Sequence, residues 1–313
     1  MTPPTIAIGT ITRRRADMLK KLLDSYVAMQ RPADANLIFI IVENDDAKTL
    51  TAQIDAFQTS VDAPVIYDLE QTPAIPLARN KVLELALEHG CDFLTFVDDD
   101  EFVDQDWLVK IYRAMDAHNL DLAGGPIRQV PYTDELSFWQ KHQLDFTNEI
   151  LAKRHEEYRD RIHESDDALM KIYSNNWCCR LSFVKENDLR FSTELLVSGG
   201  SDLRFCNDLR DQGGRIGWVQ DAWLTETIPP HRLTLRYFYK RSRDHATLRH
   251  YFSPKRRGRL IKISVSRSLE AVLSLIAVPI KGPRYFIKTI RKAALAAGAM
   301  TALFGGQSKH YKI

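Results

Sequence analysis

The sequence contains few cysteines, and their spacing excludes two common classes of protein. Four occur in 313 residues, at Cys91, Cys178, Cys179 and Cys206. They form no C-x-x-C pair and show no spacing to histidine that suits zinc. We therefore expect reduced thiols in a cytosolic protein, and neither a disulfide-stapled domain nor a zinc module.

Long hydrophobic runs are also missing. The longest uncharged runs of the C-terminal region are Ala271–Ile280, with 10 residues, and Ala293–Ser308, with 16. Because a spanning helix needs about 18 or more apolar residues, we expect neither run to cross a bilayer. The opening stretch TIAIGTI, residues 5–11, is too short for the core of a signal peptide and precedes the arginines, so it is typical of a first strand.

Charge is distributed unevenly along the chain. The net charge is +2, yet residues 232–313 carry 19 Lys and Arg against two acidic residues, whereas residues 1–231 carry 24 against 39. This asymmetry predicts a main domain over 1–231 and a basic helical region over 232–313 with an anionic partner.

Basic residues flank the two apolar runs of the region 232–313. This pattern is typical of amphipathic helices that lie in the interface of an anionic membrane. A re-entrant hairpin, or a tail packed on a partner subunit, is an alternative. Nucleic acid is disfavoured, because a nucleic-acid arm does not need these apolar runs and no known nucleic-acid module is present.

Short apolar runs alternate with helical patterns through the first 130 residues. The runs 5–11, 37–43, 64–69 and 93–98 are rich in β-branched or aromatic residues and predict buried strands. Apolar residues at helical spacing predict helices over 16–29, 75–90 and 104–115, and a later one from residue 201. This order predicts an α/β fold with a Rossmann-like, mainly parallel sheet and helices on both faces. Between 120 and 180 the pattern loosens into a polar segment.

Polar residues follow three of the strands, where such a sheet collects its ligands. Thr10 and Arg13 follow the first strand, Glu43 and Asp45 the second, and Asp98–Asp100 the fourth. Adjacent carboxylates repel one another, so a positive ligand is expected there. Mg²⁺ or Mn²⁺ needs only one or two carboxylates when substrate phosphates and water supply the other oxygens. An acidic turn or a helix cap is the alternative.

Taken in order, these segments resemble a family 2 glycosyltransferase of the GT-A fold, most similar to bacterial exopolysaccharide and lipopolysaccharide enzymes. The resemblance runs over roughly residues 5–240, in the segments IAIGTITRRRADMLKKLLDS, IIVEND, IPLARNKVLELAL, FVDDDEF and GGSDLRFCNDLRDQGGRI. It implies an inverting, metal-dependent transfer of a hexose from a UDP-linked sugar to a lipid-linked saccharide. The implied location is the cytoplasmic face of the inner membrane.

The resemblance also implies residues that hold the nucleotide. The backbone near Thr10, with Arg13, and the carboxylate of Glu43 would contact it, and Arg79 would lie nearby. Most members of the family carry Asp where this chain has Glu43, so Asp45 is an alternative residue for the contact with the nucleotide. As alternatives, the two acids cap the following helix and Arg79 is a surface residue.

In the same resemblance, Asp98 would hold the ribose beside Asp99, and Asp100 would bind the Mg²⁺ or Mn²⁺ that bridges both phosphates. Asp202 would be the catalytic base, because the acceptor hydroxyl must lose a proton as it attacks the anomeric carbon. An N-cap aspartate is the alternative for Asp202. The family usually has Glu-Asp at this point, whereas this chain has Ser201 before Asp202.

Two further segments carry candidate contacts to sugar and diphosphate. In SNNWCCR, Asn175 and Asn176 would bond sugar hydroxyls and Trp177 would stack on a ring, although asparagines are also common in turns. Arg232 and Arg236, one helical turn apart in HRLTLRYFYKR, would hold the diphosphate. A membrane-facing or solvated basic helix is the alternative for the two arginines.

Two other functions remain open on the sequence. A sugar-phosphate nucleotidyltransferase shares the fold class, but its Gly-rich loop after the first strand has no counterpart in TITRRRADML. An inactive membrane-bound scaffold is the other alternative, because Ser201 replaces the usual Glu.

Overall fold

The computed structural model describes residues 2–159, 170–195, 200–252 and 257–306. The described residues form two compact units. Unit one lies within residues 1–128, 151–196 and 201–226, and unit two within 129–150, 197–200 and 227–313. The described part of the predicted basic region, 232–313, therefore falls within unit two, together with a segment from the middle of the chain.

Strands and helices alternate along the chain. The strands are β1 (Thr5–Thr12), β2 (Asn36–Glu43), β3 (Val65–Leu69), β4 (Phe93–Phe96), β5 (Glu101–Val103), β6 (Leu122–Gly124), β7 (Ile127–Pro131), β8 (Trp177–Arg180), β9 (Ile216–Trp218) and β10 (Leu224–Ile228). The α-helices are α1 (Ala16–Ala28), α2 (Thr51–Ser60), α3 (Ile75–Glu88), α4 (Trp107–Ala117), α5 (Phe138–Tyr158), α6 (Leu181–Glu186), α7 (Ser201–Asp211), α8 (Leu235–Phe252), α9 (Arg257–Ile276), α10 (Val278–Lys281) and α11 (Pro283–Leu303).

Unit one is built on a seven-stranded sheet in the order β3–β2–β1–β4–β8–β6–β9. The pairs of β1 with β2, β2 with β3, β1 with β4 and β6 with β9 are parallel, and β8 runs antiparallel to both of its neighbours. This arrangement confirms the predicted mainly parallel sheet. A second sheet has three strands in the order β5–β10–β7.

Both faces of the large sheet are covered, as predicted. Alternate residues of β1 point to opposite faces, so Ile6 and Ile8 pack with α1, α2 and α4 in one apolar core, while Ala7 packs with α3 and α7 in another. Gly9 allows α3 to approach the sheet closely, because a Cβ atom there would lie 2.5 Å from Cγ1 of Val82.

The segment between 120 and 180 is more regular than its polar composition indicates. It contains β6, β7 and the 21-residue helix α5, none of which the sequence pattern predicted. The extended part of SNNWCCR is confined to β8. Part of the polar segment, 160–169, lies outside the described residues.

Unit two contains the helices of the basic region. Helix α11 packs closely on α8, because Gly298 leaves room where a Cβ atom would lie 2.6 Å from Cβ of Ala246. It also packs on α9, where the hydroxyl of Ser264 donates to the carbonyl of Ala296 at 3.3 Å. Among the helices that the structure describes, none combines the length and apolar composition needed to cross a membrane. The predicted run to Ser308 continues beyond the described residues.

All four cysteines are buried and free. Burial raises the pKa of Cys91 to about 11 and that of Cys178 to about 12. The thiol form therefore dominates at neutral pH.

Candidate active site

The ends of β1, β2 and the segment after β4 meet at one edge of the sheet in unit one. The hydroxyl of Thr12 donates to Oδ2 of Asp99 at 2.8 Å, and the backbone N–H of Asn44 donates to the carbonyl of Thr12 at 2.8 Å. Parallel strands bring their carboxyl ends to the same edge, so the clustering predicted from the sequence is present.

The acidic segment after β4 is largely buried. Asp99, Asp100 and Glu101 are 5%, 7% and 1% exposed. Burial raises the pKa of Asp99 to about 6, against the lowering effect of Arg15. Burial, and then the charge of Asp98, hold the pKa of Glu101 well above its usual range. Negative charge is therefore costly here in the absence of a cation.

Arg15, in the turn between β1 and α1, is a basic group that contacts this segment. Its Nη1 donates to Oδ1 of Asp99 at 2.8 Å and to Oδ2 of Asp100 at 3.1 Å. Arg15 and Thr12 were not among the site residues predicted from the sequence. The available signal was the run of three arginines after β1, the strand that lies beside β4 in the sheet.

Asp98 connects the acidic segment to Arg79 and Asp202. Nη2 of Arg79 lies 3.3 Å from Oδ1 of Asp98. Burial raises the pKa of Asp98, Arg79 lowers it, and the charges of Asp100 and Asp202 raise it further. The charge of Asp202, the predicted base, is thus one of those that act on Asp98, and a site shared by the two remains a prediction.

Arg79 is itself a buried residue, not a surface residue of α3. It is 7% exposed, its guanidinium lies over the ring of Phe191 at 5.7 Å, and its Nε has no hydrogen-bond partner among the described residues. A buried guanidinium with an unused donor beside an aspartate suits an anionic or polar ligand.

Asp202 lies in the first turn of α7, whose first residue is Ser201. Its Oδ1 accepts the backbone N–H of Leu203 at 2.8 Å. One turn later, the ring of Phe205 stacks on Phe191 at 4.8 Å and meets Trp177 edge-on at 4.9 Å. This aromatic packing holds the start of α7 in place.

The acidic segment suits a divalent cation by its chemistry. Its donors are carboxylate oxygens, which Mg²⁺ and Mn²⁺ prefer, and burial raises the pKa of Asp99 and of Glu101. Within the described ranges, no three His, Cys, Asp or Glu side chains are grouped closely enough to hold an ion alone. Substrate phosphates and water would therefore have to complete the ligands around Asp100.

Glu43 is placed differently from what the resemblance implied. It is fully buried at the end of β2. Its Oε2 accepts the backbone N–H of Thr49 at 2.8 Å, and the hydroxyls of Thr49 and Tyr67 also donate to this carboxylate. Burial, together with this contact, raises the pKa of Tyr67 to about 12. The expected contact of Glu43 with the nucleotide is wrong, because the carboxylate oxygens of Glu43 accept hydrogen bonds from Thr49, in the turn after β2, and from Tyr67 of β3.

Asp45 forms a bidentate ion pair with Arg14. Nε of Arg14 donates to Oδ2 of Asp45 at 2.6 Å, and Nη2 donates to Oδ1 at 2.8 Å. This pairing lowers the pKa of Asp45. Thr10 is fully buried, and its hydroxyl shares a hydrogen bond of 3.0 Å with Tyr26, whereas Arg13 is exposed. Nucleotide contacts of Asp45, Arg13 and the backbone near Thr10 remain predictions.

The expected sugar contacts of Asn176 and Trp177 are also corrected. The Asn176 amide accepts from Nε1 of Trp107 and donates to the carbonyls of Pro126 and Ala222, each at 2.9 Å. Trp177 is 3% exposed and packs in the aromatic cluster. Neither side chain has a surface left for a sugar. Asn175 donates to Oε1 of Glu101 at 2.8 Å, and its sugar contact remains a prediction.

Arg232 and Arg236 do not lie on one helix. Arg232 ends a 3₁₀ turn, Pro230–Arg232, and α8 begins at Leu235. Both belong to unit two, and their expected contact with a diphosphate remains a prediction.

The mainly parallel sheet with helices on both faces is the arrangement expected of a GT-A fold. The sequence profile described as "Glycosyl transferase family 2" matches residues 7–178, more than half of the chain. The chain therefore belongs to glycosyl transferase family 2.

The chain is also similar to known proteins. The chain is 28% identical over 236 residues to the succinoglycan biosynthesis protein ExoM of Rhizobium meliloti (strain 1021), a match that covers 75% of this chain and 71% of that protein. It is similar in structure to residues 1–349 of S. aureus TarS, with a TM-score of 0.54, 15% identity, and coverage of 96% of this chain and 92% of that chain. The TarS complex with UDP gives a TM-score of 0.52 at 15% identity, covering 99% of this chain and 94% of that chain. Against a longer TarS structure, this chain spans 55% of that chain.

Proposed function

We propose that this glycosyltransferase moves a hexose from a UDP-linked sugar to a lipid-linked saccharide, with inversion, in the synthesis of a cell-surface polysaccharide. The observation that carries the proposal is the contact of Arg79 with Asp98 beside the buried acids Asp99 and Asp100, at the edge of the sheet where β1 ends. The relation to a succinoglycan biosynthesis protein supports the polysaccharide product, and the UDP complex of the TarS neighbour supports the donor.

In this proposal, each residue acts on a specified part of the donor or acceptor. Asp98 holds the ribose, and Arg79, whose Nε is unused, bonds a polar group of the nucleotide. Asp100 would hold Mg²⁺ or Mn²⁺, and such a cation would neutralise charge on the departing diphosphate. Asp202 accepts the proton of the acceptor hydroxyl as that oxygen forms its bond to the anomeric carbon and the bond to the diphosphate breaks.

The test is release of nucleoside diphosphate from a panel of nucleotide sugars, with Mn²⁺ present, by the wild type and Asp202→Asn. We expect the variant to lose about 10²–10⁴-fold in turnover while it still binds UDP, because a general base contributes that much. Asp211→Asn, exposed at the end of α7, is the matched control and should keep full turnover.

Three results would contradict the proposal. Full turnover by Asp202→Asn would remove it as the base. Release of pyrophosphate from a nucleoside triphosphate would indicate a nucleotidyltransferase. Binding of nucleotide sugars without any turnover by the wild type would favour the inactive scaffold.

A further inference from the structure

Unit two carries a concentrated patch of exposed apolar side chains. Ten of the fourteen large apolar residues that are exposed in the described parts of the chain lie between 261 and 304. Most belong to one helix and its short extension, and we call this set the α9 stripe: Ile261, Val265, Leu269, Val272, Leu273, Leu275, Ile276 and Ile280. Their exposed fractions range from 48% to 85%. Apolar patches of this kind mark interaction surfaces in soluble proteins.

The stripe is the outer face of a packed helix. On the opposite side of α9, Leu260, Ser264, Ala271 and Ser274 are buried. Between α9 and α11, the outer face forms an open apolar groove of about 570 Å³ that includes Val265, Leu269 and Met300. Because the inner side of α9 is already covered by protein, the stripe is free to meet something else.

The charges around the stripe are positive at both ends. Arg257, Arg259 and Lys262 are exposed at the start of α9, and Lys281 is exposed at the end of α10. The one acidic residue of α9, Glu270, is paired with Arg267 at 2.7 Å and also with Lys292. An apolar face with basic groups at each end therefore remains.

These charges distinguish between two partners for the α9 stripe, a second copy of the chain and an anionic bilayer. A second copy of the chain, paired through the same stripe, would bring the basic ends of one α9 next to basic ends of the other in either orientation, and like charges repel. The surface of an anionic bilayer offers hydrocarbon to the stripe and negative headgroups to both basic ends.

We propose that the α9 stripe is a membrane-docking surface that inserts into the interface of an anionic lipid leaflet. Helix α9 then lies parallel to the bilayer plane, with its apolar side about 5–10 Å deep, and Ile280 continues the buried side beyond the end of α9. Lys262 and Lys281 remain at the level of the headgroups. This inference goes beyond sugar transfer, because it rests on unit two and its failure would leave donor turnover unaffected.

The test is flotation of the full-length protein with vesicles of phosphatidylcholine alone or mixed with phosphatidylglycerol. We expect the wild type to bind the anionic vesicles and to dissociate as salt is raised. Val265→Asp should weaken binding about tenfold or more, because an apolar contact is replaced by a charge in the interface. Lys262→Gln with Lys281→Gln should weaken it by about fivefold for each residue, on anionic vesicles only.

Val27→Asp is the matched control, since Val27 is an exposed valine on α1, with 46% exposure against 54% for Val265. It should bind vesicles as the wild type does, and circular dichroism should show the same fold in all variants. Equal binding by Val265→Asp and wild type, or no binding of wild type to anionic vesicles, would overturn the proposal. A dimer in light scattering that Val265→Asp dissociates, without vesicle binding, would assign the stripe to a second copy instead.

Discussion

Replacing Asn176 by alanine tests whether this residue supports the fold or binds sugar. The substitution leaves the buried indole N–H of Trp107 and the carbonyl of Ala222 without this partner, whereas the carbonyl of Pro126 still accepts the backbone N–H of Leu224 at 3.1 Å. Each unsatisfied buried group costs about 1–3 kcal/mol, so the two groups together should lower the free energy of unfolding of Asn176→Ala by at least about 2 kcal/mol. This loss is a large part of the roughly 5–15 kcal/mol that typically holds a domain together. Urea unfolding followed by circular dichroism measures it.

Asn187→Ala is the control for this experiment. Asn187 is half-buried at the end of α6, and its amide makes one hydrogen bond, of 2.9 Å, to the carbonyl of Phe183. Its loss should cost no more than about 1 kcal/mol. Wild-type stability of Asn176→Ala together with a raised KM for the donor sugar would refute the structural role given to Asn176.

Two further predictions concern packing and the acidic segment. Gly298→Ala should destabilise the protein by about 1–3 kcal/mol, because the new Cβ atom would lie 2.6 Å from Cβ of Ala246. Gly258→Ala is the control: the space around Gly258 is open, so this substitution should be neutral or stabilising by up to about 1 kcal/mol. Thermal unfolding compares the two variants, and equal shifts in Tm would contradict the close packing at Gly298. Arg15→Gln should raise the affinity for Mn²⁺ about tenfold, because the guanidinium competes for the same carboxylates. Electron paramagnetic resonance of free Mn²⁺ measures this, with Arg14→Gln as the control, and an unchanged affinity would count against the competition.

The large sheet could be predicted because its signals are local. Buried parallel strands are continuous apolar runs, and the polar residues that follow them lie at one edge by the geometry of the sheet. The placement of Asp98–Asp100 at the same edge of the sheet as the end of β1 follows from these facts.

Contacts between distant parts of the chain explain what the sequence analysis missed. Arg15 and Asp99 are separated by 84 positions, and only the adjacency of β1 and β4 brings them together. Trp177 and Asn176 have residue types that suit sugar binding, yet the packing of Phe191 and Phe205, and the carbonyls of distant loops, cover them.

Helix α5 was missed for a different reason. Its polar composition lacks the apolar periodicity that predicts an amphipathic helix. Part of its support comes from specific hydrogen bonds, such as those that Asn148 exchanges with the backbone of Gln129 at 2.8 and 2.9 Å.

The burial of all four thiols makes this chain convenient for labelling. Maleimide probes react with accessible thiolates, and the natural cysteines are shielded by the core. A single cysteine introduced at an exposed position such as Ser266 would therefore react far faster than the others. A fluorophore attached there would report the polarity around the outer helices without any need to remove a native residue.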